Sequence, residues 1–440
     1  MTKLTRALER LFFDMVFLCY ALVAFPLFVA KGKLKEGWSE RWGRVGTLVR
    51  ERLAGKSVVW IHSVSVGETR LACHLLSRLR HRMPGTAFVL STTTTSARKI
   101  ARDALAPEDT LLYFPFDFSF AVRRWLDAVA PRLVVIFETE IWPNLLGELR
   151  ARRVPVIIAN ARISNASFGR YLKIAPFLRR ELKEIALCLA QSAAHGERFT
   201  RLGLPADRMK VSGNMKFDLQ TAQAGSRADL RRVFEELKAE QDAAVFLASS
   251  THPGEEELLL AVYLQLKGVF PNLRLVIAPR HIERLGSIEA LIGRKNLSSA
   301  RLSSLLKAKQ RSLSEILLVD VWGILHEIYP YADVVFVGGS LVPSGGHNIA
   351  EPASSGRAVL HGPHMANFSD MAEEFRKSGG VIEASGAEDL ASKLMGLLRD
   401  PGERERLGSR AREVVLRNSG ATDRVAEEIV QRIERKGVLC

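Results

Sequence analysis

Three stretches of this chain carry residue types that do chemistry. Glu68 follows Gly67 at a predicted helix start, where the helix dipole stabilises a carboxylate as an anion. Such a group either takes a proton as a general base or simply complements the dipole. Glu138 and Glu140 stand two apart at a predicted strand end and share a face if the strand continues, which suits an acid/base pair, a metal pair or caps on the next helix. The third stretch is Val337-Gly-Gly-Ser-Leu-Val-Pro-Ser-Gly-Gly-His-Asn-Ile-Ala-Glu351, a strand end, a glycine-rich loop and a first helical turn. Its glycines tolerate positive φ and close ligand approach. Backbone N–H groups at the helix start favour a phosphate, and the Glu351 carboxylate is suited to accept hydrogen bonds from a ribose diol. A ligand-free turn would carry the same glycines, and it is Asn348 and Glu351 that favour a nucleotide.

No Asp-x-Asp and no His-x-x-x-His occurs, and no further ligand residues cluster near the two glutamates, so no metal is expected. Leaving-group charge then falls to cations and N–H dipoles. Lys216, at a predicted linker, and Arg280, at a strand end, are the candidates. The absence of Gly-x-Ser-x-Gly, P-loop and Gly-x-Gly-x-x-Gly motifs at strand–helix junctions argues against hydrolase, NTPase and dehydrogenase chemistry. Histidines 62, 252, 281, 347 and 364 fall near predicted loops, and none is assigned a catalytic role.

The elements that must position these groups are continuous apolar runs separated by helix-length segments. Residues 57–62, 86–91, 133–137, 154–159 and 187–190 read as strands of a parallel sheet covered on both faces. Residues 244–248, 273–278, 316–319, 334–337 and 358–360 repeat the pattern after a loose stretch at 209–225. The expectation is α/β, with two Rossmann-like doubly wound domains facing a cleft at the carboxyl ends of their strands. Boundaries are expected at 1–35 for an anchor, 36–215 for an N-terminal domain and 216–440 for a C-terminal domain. The tail from 388 to 436 is helical throughout by its apolar spacing, and a return to brace the first domain is open to it.

The chain of 440 residues is 47% hydrophobic, enough for two cores. With 63 Lys plus Arg against 48 Asp plus Glu, its net charge of +15 implies an anionic partner. Four scattered cysteines suggest a reducing compartment. Residues 11–30 are apolar for about the length of a membrane span, interrupted by Asp14 and Pro26, and predict an uncleaved N-terminal membrane-anchor helix, either spanning or interfacial. Between Lys31 and Lys56 eight basic residues face three acidic ones, which places the body on the cytoplasmic side against anionic lipid.

Trp60-Ile-His-Ser-Val-Ser-Val-Gly-Glu68, Phe114-Pro-Phe-Asp117, Glu138-Thr-Glu-Ile-Trp-Pro-Asn144, Ala159-Asn-Ala-Arg162, Gly213-Asn-Met-Lys-Phe-Asp218, Ser250-Thr-His-Pro-Gly-Glu-Glu256, Ala278-Pro-Arg-His281, Gly338-Gly-Ser340 with Gly345-Gly-His-Asn348, and Gly362-Pro-His364 follow one another in this order. Together they resemble the 3-deoxy-D-manno-octulosonic acid (Kdo) transferase family of lipopolysaccharide assembly, from the apolar N-terminus to about residue 370. The resemblance implies a GT-B fold, CMP-Kdo as donor and a lipid A precursor as acceptor at the cytoplasmic face of the inner membrane. It implies Glu68 as proton acceptor, with Glu138 and Lys216 supporting the transition state and no cofactor. CMP contacts carry over to Pro279 and Arg280, to Trp322, Gly323 and Ile324, and to Asn348, Ile349, Ala350 and Glu351. Two departures stand out. The family commonly has Gly-Glu where this chain has Gly323-Ile324, and Asn-Pro-Leu-Glu where it has Asn348-Ile-Ala-Glu351, so at Ile324 a backbone contact is expected rather than a side-chain one. Competing expectations are a GT-B transferase or epimerase using a UDP-sugar, and a membrane-attached sugar-nucleotide binding protein.

Overall fold

A computed structural model describes residues 8, 10–19, 21–22, 36–220, 228–239, 243–308 and 314–435. The chain forms two compact units: one runs to Leu219 and takes in the residues from Ser419 onward, and the other is Gln220–Asn418.

The first unit is built on strands β1 (Val58–Ser63), β2 (Ala87–Thr92), β3 (Thr110–Tyr113), β4 (Leu133–Phe137), β5 (Val156–Ala161), β6 (Leu187–Ala190) and β7 (Met209–Val211). All pair in parallel, in the order β3-β2-β1-β4-β5-β6-β7. Successive side chains of a strand point to opposite faces, and both faces are covered. Val58, Trp60, Val134, Ile136, Val156 and Ile158 enter one core, whereas Val59, Ile61, Val135, Phe137, Ile157 and Ala159 enter the other. That is why these strands read as unbroken apolar runs.

The second unit carries β8 (Val245–Thr251), β9 (Arg274–Pro279), β10 (Ser299–Arg301), β11 (Ile316–Leu318), β12 (Val334–Val337), β13 (Ala358–His361) and β14 (Ile382–Glu383). They are again all parallel, in the order β10-β11-β9-β8-β12-β13-β14. The chain reverses direction of travel across the sheet between β1 and β4 in one unit and between β8 and β12 in the other. These are the positions where open α/β sheets leave a crevice at their carboxyl ends.

The boundaries differ from those expected. The first unit extends four residues past 215, through Leu219, so Lys216 belongs to it, and the last helix returns to it. Helix Ala421–Arg435 lays Val425, Ala426, Ile429 and Ile433 into the same core as Leu71, Leu75 and Leu79 of helix Val66–Arg82. Asp218 anchors this return, its carboxylate accepting from the N–H groups of Gly420 at 2.6 Å and Thr422 at 2.5 Å. Sequence distance does not separate residues that share one apolar core.

Of the anchor expected at 11–30, residues 20 and 23–30 lie outside the described residues, as do Lys31, Lys33 and Lys35 of the basic stretch. No helix among the described residues is long and apolar enough to cross a membrane. Residues 10–19 are helical and docked. The Asp14 carboxylate accepts from Ser119 N and Oγ, both at 2.7 Å, and Phe17 packs edge-on against Phe118. Leu11, Phe12, Met15, Val16 and Leu18 of the same helix stay exposed. The basic stretch is less available than its charge suggests. Arg41 is buried and donates to the carbonyls of Glu36 at 3.2 Å and Thr93 at 2.7 Å, while Arg50 and Arg52 donate to the carbonyls of Val45 and Pro107.

Candidate active site

Glu68 is the third residue of helix Val66–Arg82, which starts after β1. Ser65 caps this helix, its Oγ accepting from Glu68 N at 3.2 Å and donating to Glu68 Oε1 at 2.7 Å. Val64 N donates to Oε2 at 2.9 Å. This is a capping box, so the carboxylate does complement the helix start. Ser65 also reaches the carboxylate through its backbone, and because two carboxylate oxygens offer about four acceptor sites, these three contacts leave room for a further donor. Burial, followed by the charge of Glu138, raises the Glu68 carboxyl above the ordinary glutamate value. A desolvated carboxylate of raised basicity, held rigidly, is what a general base requires.

Glu138 ends β4 in a left-handed conformation, φ 56°, and the next strand ends the same way at Asn160, φ 53°. Two non-glycine residues in this region on neighbouring strands mark stored strain. The buried Asn160 Oδ1 accepts from Met215 N at 3.0 Å, tying the segment after β7 to the end of β5. The Asn214 Oδ1 accepts from Lys216 N at 3.0 Å. Lys216 Nζ thereby lies 3.7 Å from Glu138 Oε1, with both side chains largely covered. Residues far apart in sequence, Glu68, Glu138 and Lys216, are thus brought to one crevice of the first unit. Glu140 joins them. Burial first and the Glu68 charge second push its carboxyl up to about 7. Spacing alone made Glu140 a candidate without a role, and nothing local in the sequence announces that Asn160 would position Lys216.

Other motif residues of this unit hold the frame. His62 is fully buried, stacked on Phe114 with 3.9 Å between ring centroids and 2.9 Å from Ser91 Oγ, and burial pushes its imidazole down to about 3. The Asp117 carboxylate accepts from Asn144 N at 3.0 Å and Leu145 N at 2.9 Å, capping helix Pro143–Ala151. Burial raises Asp117 to about 8.

In the second unit the loops after β8 and β12 meet so closely that a side chain at Gly338 would place its Cβ 2.6 Å from the Ser250 carbonyl oxygen. The backbone N–H groups of Gly339, Ser340 and Leu341 donate at 2.6, 3.0 and 2.9 Å to the fully buried carboxylate of Glu255, which also accepts from His252 N. The first half of the glycine loop therefore cradles an anion that the chain itself supplies. The helix expected to point its dipole at a phosphate spans only Ala350–Ser354, and Asn348 Oδ1 accepts from Ala350 N at 3.1 Å. A long-helix dipole is absent there, and Glu351 stands second in the helix rather than a turn inside it. The side chains of Ile349 and Ala350 are buried, so any ligand contact there is through backbone.

Pro279 closes β9 and Arg280 follows it, with Arg280 N donating to Thr251 O at 3.0 Å. The Arg280 guanidinium lies 5.9 Å from the ring centroid of Trp322, which is 55% exposed, while Ile324 is buried and presents no side chain outward. A planar cation and an indole at this spacing suit a phosphate and a flat base. Beside them His252 and His347 approach Nε2 to Nε2 at 2.9 Å, so one ring must donate and the other accept. Burial, followed by the Arg280 charge, pushes His347 down to about 4. Among the described residues no group of three or more His, Cys, Asp or Glu side chains is placed to hold a metal ion.

The family model for 3-deoxy-D-manno-octulosonic-acid transferase (kdotransferase) matches residues 36–219. Over 412 residues the chain is 32% identical to the 3-deoxy-D-manno-octulosonic acid transferase of Haemophilus influenzae, covering 93% of this chain and 94% of that protein. The protein of the same name from Bordetella pertussis is 31% identical over 401 residues, with 88% and 90% covered. Among solved structures, a glycosyltransferase from Rickettsia africae matches with a TM-score of 0.57 at 14% identity, over 86% of this chain and 99% of that one. A UDP-GlcNAc 2-epimerase from Neisseria meningitidis bound to UDP-GlcNAc matches with a TM-score of 0.56 at 13% identity, over 85% and 100%. At such identities these two likenesses speak for the fold alone.

Proposed function

The chain belongs to the 3-deoxy-D-manno-octulosonic acid transferase family and is a glycosyltransferase, and on that premise we propose that it moves Kdo from CMP-Kdo to a lipid A precursor by an inverting, metal-independent displacement in a GT-B frame. Glu68 takes the proton of a primary hydroxyl on the acceptor glucosamine. The freed oxygen bonds to the anomeric carbon of Kdo from the face opposite CMP as the bond to the phosphate oxygen breaks. The transition state has oxocarbenium character, and CMP departs as the anion.

The observation that carries this reading is the capped, desolvated Glu68 beside the Glu138–Lys216 pair. Glu138 sustains the basicity of Glu68, and Lys216 balances Glu138 and holds the ionised carboxylate of Kdo. In the other unit Arg280 and Trp322 receive phosphate and base, with backbone at Ile324 and at Ile349–Ala350 and the side chains of Asn348 and Glu351 completing the CMP contacts. The exposed apolar residues of the N-terminal helix support attachment to a membrane surface, and the acceptor of this reading puts that surface at the cytoplasmic face of the inner membrane.

Incubating the purified protein with CMP-Kdo and a tetra-acylated lipid A precursor, with mass spectrometry of the lipid, tests the assignment. Glu68→Gln should lose the added mass while CMP binding persists. A variant that still transfers Kdo rules Glu68 out as the base.

A further inference from the structure

The first unit holds a cavity of about 660 Å³ that the proposed chemistry does not use, lined by the N-terminal helix, helix Pro143–Ala151 and helix Ala175–Glu184. Arg10, Arg150, Arg153 and Arg180 line it against only two carboxylates, Glu148 and Glu181. Both carboxylates are buried: Arg10 lies 2.6 Å from Glu148, and Arg150 lies 3.0 Å from Glu181, on which the charge of Arg180 also acts, so four guanidiniums face two carboxylates. Charge in the cavity therefore stays positive, with Arg153 exposed at its mouth. Arg153 adopts a left-handed φ of 59° just past the helix end, where glycine is the ordinary residue. A hydroxyl donor is also wanted, because Glu181 Oε2 is buried without a hydrogen-bond partner among the described residues.

We propose that this cavity binds the headgroup of an anionic glycerophospholipid, its phosphate on the arginines and a headgroup hydroxyl on Glu181. The proposal rests on the reading that the protein works at a membrane, and it names the lipid that reading left open. The glycolipid acceptor is the other source of a lipid phosphate, and position argues against it. Helix Pro143–Ala151 begins beside the catalytic carboxylates and is nine residues, about 13 Å, long. Pro143 and Asn144 also line the cavity, which therefore runs the length of this helix, but Arg150 and Arg153, the arginines offered to the phosphate, stand at its far end, at the amino edge of the sheet opposite Glu68. The apolar side chains that would enter the bilayer are next to the cavity. Arg10 shares its helix with the exposed Leu11, Phe12 and Met15, and Phe12 stacks on the exposed Phe177 of the helix forming another wall. A headgroup in the cavity would leave its acyl chains along this apolar strip.

Co-sedimentation of the full chain with vesicles of phosphatidylcholine, alone or with about one part in three phosphatidylglycerol, tests the proposal. The double variant Arg153→Glu, Arg180→Glu should lose about tenfold or more of the affinity for the phosphatidylglycerol vesicles and little of that for the neutral ones. The neutral pair Arg153→Gln, Arg180→Gln, which introduces no repulsion, should lose less in the same direction. Both should transfer Kdo to detergent-dispersed acceptor with unchanged KM. Wild-type affinity in the charge-reversed variant overturns the site. So does a raised acceptor KM with vesicle binding intact, since the cavity would then serve the acceptor. Wild-type protein that binds neither vesicle overturns the membrane reading itself, and the site with it.

Discussion

At the scale of single residues, the proposed base is a carboxylate whose surroundings raise its basicity. Glu68 is raised by burial first and by Glu138 second, and Glu138 does not repel it freely because Lys216 stands 3.7 Å from Glu138. A base works only when deprotonated, so activity is lost as pH falls through this raised value. Glu138→Gln removes the second cause while burial remains. The acid limb of kcat/KM should then move to lower pH by up to about one unit, and the plateau rate should fall as Lys216 loses its partner. A pH–rate profile checks both. A limb that stays in place would exclude Glu68 as its source, because the charge of Glu138 acts on Glu68 and on Glu140 alike. The same desolvation that raises the basicity of Glu68 makes its ionised form costly to the fold, a cost the capping contacts from Ser65 and Val64 offset in part.

At the scale of elements, both crevices are shaped by side chains that fasten one strand end to another. Asn160 does so for β5 and the segment after β7, Asp117 for the helix following β4, and Glu255 for the loops after β8 and β12. Glu255→Ala would orphan four backbone N–H groups, three of them in the glycine loop. Destabilisation by about 3 kcal/mol or more follows, because hydrogen bonds to a charged group are among the stronger ones and their loss leaves donors unpaired. The urea midpoint should fall and CMP affinity with it. If the midpoint drops but CMP binds as before, the loop shape is not what the nucleotide requires.

For the whole molecule, the chemistry is assigned to groups that the chain supplies, with Arg280 and Lys216 as the cations for departing phosphate and sugar carboxylate. Kdo transfer should accordingly continue at an unchanged rate in excess EDTA, measured by the same lipid mass shift. A rate abolished by chelator and restored by a divalent ion would replace this account. The sequence by itself determined the parallel α/β architecture, because central strands buried on both faces must be apolar throughout. It also placed Glu68, Glu138, Arg280 and the glycine loop at strand ends, since the change from apolar run to polar turn is local. What it hid follows from the same physics. The four strands not read from the sequence, β3, β7, β10 and β14, are the outermost of the two sheets, and each has at most four residues. An edge strand has one neighbour, and β7, β10 and β14 are only partly covered, so little in their composition distinguishes them from loop. Only the tertiary structure decided which part of the helical tail joins the first core, that Glu255 fills the amides of the glycine loop, and that Lys216 meets Glu138. Each depends on groups many residues apart satisfying one another's buried charge or apolar surface, and no local window of sequence contains both partners.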